Sequence, residues 1–209
     1  MAQFFTIYPT NINIRLIREA VEIIRAGGIV VYPTDSCYAL GCHLDDREAV
    51  SRIRTIRGMD DQHMLTLMCR DLSEISKYAR VDNQKFRLLK SNTPGSYTFI
   101  LEATKEVPKR IQHPKRSTVG IRVPDHPVAL ALLEELGEPM LTSTLILPNE
   151  DWPLNDAEYI RELLEKQVDA VIDGGSSGAD FTTVIDLTGD APVLLRQGVG
   201  DAAPFGITG

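Results

Sequence analysis

The chain has 209 residues, 43% of them hydrophobic and 24% charged, with a formal net charge of −7. These are ordinary globular proportions, with material for one sizeable core or at most two small ones. The acidic average argues against a protein that coats nucleic acid by bulk charge, and no apolar run approaches the roughly 20 residues of a membrane span.

Cys37, Cys42 and Cys69 fit neither a zinc spacing nor a disulfide framework, so a reducing, cytoplasmic setting is the simpler expectation. The opening MAQFFTIYPTNINIR lacks the basic start and long apolar core of a signal peptide.

Asn11 or Asn13 can cap a first helix, on which Leu16, Ile17, Ala20, Val21 and Ile24 recur at helical spacing until Gly27 and Gly28 stop it. A buried strand at 29 to 32 follows and ends at Pro33. Residues 46 to 57 read as a helix with Ala49, Val50, Ile53 and Ile56 on one face and arginines mostly elsewhere. Residues 64 to 68 read as a short strand. Asp71 and Asp82 can cap two further helices, to about Tyr78 and Lys90.

Strands are expected at 97 to 101 and at 118 to 123. Pro127 opens a helix that runs to Gly137, and Pro139 opens a strand, MLTSTLIL. A helix from about 156 to 166 precedes strands at 170 to 173, 183 to 187 and 193 to 196. Helices separate some strands and short turns separate others. The expected class is therefore α/β, with a mixed, twisted sheet. The loops at 148 to 153 and 174 to 181 demand no domain boundary, so one domain over 1 to 209 is expected.

The chain has no phosphate loop of the G-x-x-x-x-G-K-[ST] kind, no H-E-x-x-H and no G-x-S-x-G, and its four histidines are scattered. What remains is polar groups at strand ends. Thr34, Asp35, Ser36 and Tyr38 follow one strand. Thr118 and Arg122 share a side of another, as do Thr142 and Thr144 of a third. Thr182 and Thr183 open a strand after a glycine-rich loop, and Arg196 ends the last one. Arginine forks and threonine hydroxyls together suit an anionic ligand. Taken singly, each threonine is explained by strand propensity and each arginine by a surface ion pair. Taken together, hydroxyls near the ends of four strands favour a binding cavity. Two basic stretches stand out against the acidic average: Arg47, Arg52, Arg54 and Arg57, and Lys105, Lys109, Arg110, Lys115, Arg116 and Arg122. They suit RNA or simply a solvated face.

Four blocks carry a resemblance. VVYPTDSCYALG resembles the YPT[DE]T-x-YGLG segment of the YrdC-like threonylcarbamoyl-AMP synthase family, and PGSYTFIL resembles its PGP-x-T-x-IL. TVGIRVPDHP is similar to TVG[VI]R-[VI]-P-x-HP, and TTVIDLTGDAPVLLRQGVG to STV[VI]DL…P-x-[VI]LR-x-G. The blocks keep the family's order over residues 30 to 200. RIRTIRG…LTLMCRDL and KQVDAVIDGG look most like the YciO subgroup.

The resemblance implies a YrdC-like twisted mixed sheet with flanking helices and a large concave face. It implies a nucleotidyltransferase-type synthase that condenses L-threonine, bicarbonate and ATP, with Mg²⁺ and no tightly bound cofactor. The products are threonylcarbamoyl-AMP, used in tRNA modification, and pyrophosphate. Carried over position by position, Thr34, Ser36, Tyr38, Arg122, Thr142 and Thr182 would serve threonine. Arg57, His63, Thr118, Thr144 and Arg196 would serve the nucleotide.

Two departures bear on the nucleotide end. The synthases' K-x-R pair is matched by Arg57-Gly58-Met59, or with an insertion by Arg52-Ile53-Arg54. Their S-x-N is matched by Thr144-Leu145-Ile146, which keeps the hydroxyl and loses the amide. The alternatives are a tRNA- or double-stranded-RNA-binding paralogue without synthase activity, and a hydrolase of threonylcarbamoyl-AMP.

Overall fold

The structure, a computed structural model, describes residues 1–60 and 65–207. Ten strands form one mixed sheet: β1 Gln3–Thr6, β2 Val30–Pro33, β3 Tyr38–His43, β4 Thr66–Met68, β5 Tyr97–Glu102, β6 Thr118–Arg122, β7 Met140–Thr144, β8 Ala170–Asp173, β9 Thr183–Asp186 and β10 Val193–Arg196. Their order is β1-β8-β2-β3-β7-β4-β6-β5-β9-β10. Parallel pairs (β1 with β8, β8 with β2, β4 with β6, β5 with β9) are interleaved with antiparallel ones.

Side-chain caps start the helices. Asn13 accepts from the Leu16 amide at the head of α1 Ile14–Arg25, and Asp46 from Ala49 at the head of α2 Arg47–Arg57. Asp71, Asp82 and Asp156 do the same for α3 Leu72–Tyr78, α4 Asn83–Asn92 and α6 Ala157–Leu164. His126 caps α5 Pro127–Leu136, whose first residue is the tolerated proline. Gly58 and Gly137 close α2 and α5 in the left-handed conformation, with φ of 65° and 76°.

Register decides which face each strand residue takes, because residues directly opposite one another share a face. Val30 faces Gly41, Gly41 faces Thr142, Thr142 faces Thr66, Thr66 faces Gly120 and Gly120 faces Ile100. This row marks one face of the sheet. Over β1, β8, β2 and β3 it is covered by α1 and α5, whose Ile17, Val21, Val128 and Leu132 join Val30, Tyr32 and Ile172 in one apolar cluster. The other face is closed by a larger cluster that takes in Ile53, Ile75, Leu89 and Ile160 from α2, α3, α4 and α6. The first-face cluster also takes in Met140 of β7 and Met68 of β4, and beyond these, towards Thr144, Thr66, β6, β5 and β9, the first face opens into the site.

Two strands were not anticipated from the sequence. β3 lies between β2 and β7 with both faces buried, so YALGCH lacks the polar alternation that marks a half-exposed strand. β1 is a four-residue edge strand that gains its identity only by pairing with β8. Among the described residues no helix is long and apolar enough to cross a membrane.

Candidate functional site

A cavity of about 230 Å³ opens on the uncovered face. Its floor comes from alternate positions of neighbouring strands: Thr142 and Thr144 on β7, Thr66 on β4, Thr98 and Ile100 on β5, and Arg122 on β6. Thr182, just before β9, and Arg196 of β10 complete the wall. Gly120 keeps the floor low, for a Cβ there would stand 3.0 Å from Thr66 Oγ1 and 3.3 Å from Thr98 Cγ2.

Arg122 is 4% exposed. One of its terminal nitrogens forms an ion pair with Asp35, and the other donates to Ser36 Oγ at 3.4 Å. The second Asp35 oxygen accepts the Asp125 amide at 2.8 Å, which fixes the carboxylate from behind. Arg122 Nε is buried and has no partner. A buried, charged donor left unsatisfied is costly, and such groups commonly mark where a ligand oxygen belongs.

Arg196 is oriented by Thr182. Its Nε and Nη2 donate to the Thr182 carbonyl at 3.1 and 2.9 Å, and Nη2 also reaches Thr182 Oγ1 at 3.1 Å. Thr182 Oγ1 is shared with Thr98 Oγ1 at 2.7 Å. Arg57 donates to Ser143 Oγ at 2.5 Å, and its Nε is a second buried nitrogen without a partner. Burial lowers the proton affinity of Arg57, and the like charge of Arg196 acts the same way. Arg196 is lowered by burial too, with Arg122 adding repulsion. Arg196 thus feels the like charge of Arg122 across the cavity, and Arg57, behind Ser143, feels that of Arg196, an arrangement that an anion would relieve.

The hydroxyl floor is itself anchored. Tyr32 OH and Thr142 Oγ1 lie 2.6 Å apart, and burial raises the Tyr32 phenol, which stays neutral. Burial likewise raises the Cys37 thiol, so Cys37 is no ready thiolate.

Of the residues singled out in the sequence, Arg122, Thr142, Thr144, Thr182 and Arg196 meet at this cavity. Ser36 stands behind Arg122, and Arg57 approaches through Ser143. Thr34 is used by its own turn: its Oγ1 accepts the Ser36 and Cys37 amides, both at 3.2 Å, and donates to the Cys37 carbonyl at 2.6 Å. Tyr38 belongs to the opposite face. It packs in the larger core cluster, and its hydroxyl donates to the Gly175 carbonyl at 2.7 Å and accepts the Gly174 amide at 3.2 Å. Burial pushes its phenol up to about 12. Tyr38 is therefore a strut for the loop after β8. Thr118 shares the face of Arg122 but sits at the far end of β6, beside Glu102 and outside the cavity lining. His63 lies outside the described residues.

Asp35, Thr66 and Thr98 are site residues to which the sequence reading assigned no role. Thr66 and Thr98 were legible as the polar members of alternating strands, LTLM and YTFI. Asp35 was visible only as one polar group in a turn.

The model of the Sua5/YciO/YrdC family, described as telomere recombination, matches residues 22–198. The chain belongs to this family. The crystal structure of Escherichia coli YciO is 59% identical over 98% of this chain and all of its own, with a TM-score of 0.95. Pyrococcus abyssi Sua5 complexed with L-threonine is 30% identical, with a TM-score of 0.86 over 93% of this chain and 57% of its own. The threonylcarbamoyl-AMP synthase of Bacillus subtilis is 31% identical over 184 residues, 87% of this chain. The chain spans 53% of that enzyme's length. The mixed ten-stranded sheet with flanking helices is thus the fold of Sua5/YciO/YrdC structures.

Proposed function

We propose that the cavity takes L-threonine at Arg122 and an adenine nucleotide at Arg196 and Arg57, and that the protein is a threonylcarbamoyl-AMP synthase with a reduced ATP end. The observation that carries this reading is that Arg122 and Arg196 line one cavity, with the Nε of Arg122 buried and without a partner. A threonine carboxylate can accept from Nε, while Asp35 and Ser36 hold the rest of the fork still. The hydroxyls of Thr142 and Thr144 suit the polar remainder of the amino acid. The L-threonine complex of Pyrococcus abyssi Sua5 and the synthases among the relatives support the amino-acid half.

In the synthase reading, the threonine amine and bicarbonate form a carbamate with loss of water, and a carbamate oxygen displaces pyrophosphate from the α-phosphorus of ATP. The protein's contribution is positioning, and cations placed where negative charge develops. Arg196 and Arg57 supply two. Met59 stands at the second position of the synthases' K-x-R and packs against the apolar core, so it offers none. Removing one preorganised donor costs on the order of 100-fold or more in rate. Among the described residues no three His, Cys, Asp or Glu side chains converge as metal ligands. A Mg²⁺ ion is therefore expected to arrive on the nucleotide's phosphates.

Purified protein given threonine, bicarbonate, ATP and Mg²⁺ should release pyrophosphate slowly and only when threonine is present. Release no faster than the blank removes the synthase. AMP release from added threonylcarbamoyl-AMP, without pyrophosphate release from ATP, instead identifies a hydrolase in the same cavity.

A second reading, binding to RNA, is favoured by one observation. The two basic stretches, far apart in sequence, meet in a cleft of about 400 Å³ lined by Arg47 and Arg54 of α2 and by Lys109, Arg110 and Gln112, with no acid in its lining. It lies on the helix-covered side of the sheet. Arg47 and Lys109 make no ion pair with any described residue. Affinity for a duplex RNA should fall steeply with salt, as phosphate contacts require. No binding at low salt removes this reading.

A further inference from the structure

We infer that Thr66 and Thr98, which flank Gly120 on the cavity floor, distinguish L-threonine from its isosteres. Thr66 Oγ1 takes the side-chain hydroxyl, and the Thr98 methyl, with Ile100 beside it, takes the side-chain methyl. This rests on the threonine reading above and names what reads the side chain.

Gly120 defines the notch. In register it lies between Thr66 of β4 and Ile100 of β5, all three on the inner face. A Cβ on Gly120 would stand 3.0 Å from Thr66 Oγ1, 3.3 Å from Thr98 Cγ2 and 3.7 Å from Ile100 Cδ1. Around this point the floor offers one oxygen and two methyl carbons, and Gly120 itself adds no side chain. A threonine side chain carries a hydroxyl and a methyl on one carbon.

The hydroxyls of the floor are not equivalent. Thr98 Oγ1 is turned to Thr182 Oγ1 at 2.7 Å, and Arg196 Nη2 holds that second oxygen at 3.1 Å. Thr98 is buried and β-branched, so this bond fixes which of its two γ atoms meets Gly120. Thr142 Oγ1 lies 2.6 Å from Tyr32 OH, Ser143 Oγ accepts from Arg57, and Thr144 stands against the Cys37 thiol. Thr66 Oγ1 has no hydrogen-bond partner among the described residues. It keeps both its donor and its acceptor capacity for a ligand.

Arg122 and Gly120 are two residues apart on β6, a step of roughly 7 Å along a strand, and Arg122 lines the same cavity. One small amino acid bridges such a step, with its carboxylate at Arg122 Nε and its side chain over Gly120. The amine is left to Thr142 and Thr144. A site that hydrogen-bonds a substrate hydroxyl rejects the analogue lacking it more strongly than it rejects the loss of a methyl.

Calorimetry on the intact protein with L-threonine, L-valine and L-allo-threonine tests this. Valine replaces the hydroxyl by a methyl, and allo-threonine exchanges the two groups. The wild type should bind either analogue about 5-fold or more weakly than L-threonine, the cost of a hydroxyl left unpaired under the ligand. Thr66→Val should weaken L-threonine and not L-valine, so that the preference between them falls below about 2-fold, as a cycle between a residue and the group it contacts requires. Thr66→Ser keeps the hydroxyl and should keep the wild-type preference. The inference is overturned, and the threonine reading kept, if the wild type binds L-valine or L-allo-threonine as tightly as L-threonine, or if Thr66→Val retains the wild-type preference. No L-threonine binding by the wild type overturns both.

Discussion

Arg122 and Asp35 form a buried ion pair that occupies one edge of the guanidinium and leaves its Nε without a partner. A lone buried arginine would cost several kcal/mol, and pairing offsets much of that. Asp35 thus holds Arg122 aimed and leaves one donor unused. Lysine at this position keeps the charge but loses the fork. Arg122→Lys is expected to weaken L-threonine binding about 10- to 150-fold, the worth of one charged hydrogen bond of about 1.5–3 kcal/mol. Calorimetry checks it; an unchanged affinity takes the carboxylate away from Arg122.

In the proposed reading Arg196 serves a different ligand group, the phosphate of a nucleotide. Arg196→Gln is expected to weaken AMP at least about tenfold, the loss of one charge-assisted hydrogen bond, and to weaken threonine much less, because Arg122 and not Arg196 is proposed to hold the threonine carboxylate. The measurement is a pair of titrations on one protein sample. An equal loss for both ligands would mean that the two arginines serve one group.

Gly41 is required by packing, not by backbone conformation. Its added Cβ would stand 2.7 Å from Met140 Sδ and 2.8 Å from Tyr32 Cε1. Methionine can yield; the tyrosine ring is held by its bond to Thr142. Gly41→Ala should destabilise the fold by about 1–3 kcal/mol, as overpacked cores do. Urea unfolding tests this, and a neutral result would show that the Tyr32–Thr142 contact is softer than its 2.6 Å separation implies.

His126 makes stability depend on pH. Its Nδ1 accepts the Val128 amide at 3.2 Å, which requires an unprotonated nitrogen. Burial lowers its pKa, against the opposing pull of Asp35 and Asp125. A group with a depressed folded-state pKa favours folding above its unfolded value of about 6.5. That contribution is lost as pH falls through the unfolded value towards the folded one. Between pH 7.5 and 5.5 the wild type should lose more thermal stability than His126→Asn, which keeps a capping acceptor that does not titrate. Equal losses would remove His126 from the pH response.

Much of the fold was legible because its signals are local. The caps Asn13, Asp46, Asp71 and Asp82, and the glycines after α1, α2 and α5, are written beside the helices they bound. β3 and β1 were not, since one is buried on both faces and the other exists only through a partner far along the chain. The site shows the same division. Thr142, Thr144 and Arg196 stand out as polar groups in apolar strands. For Thr34 and Tyr38, composition does not say which side of the sheet a residue takes, and one step along a strand reverses it. Tyr38 and Ala39 are neighbours in sequence, and only Ala39 lines the cavity. In YPTDSCYALG, Thr34 ties its own turn and Ser36 reaches Arg122, so both shape the pocket from behind.

The most direct measurement is calorimetry of the wild-type protein with L-threonine, then with AMP, then with AMP in saturating threonine. The expected result is two separate one-to-one sites, with AMP binding undiminished when threonine is present. Mutual displacement of the two ligands, or heat from neither, would contradict a cavity whose Arg122 and Arg196 receive different ends of the bound molecules.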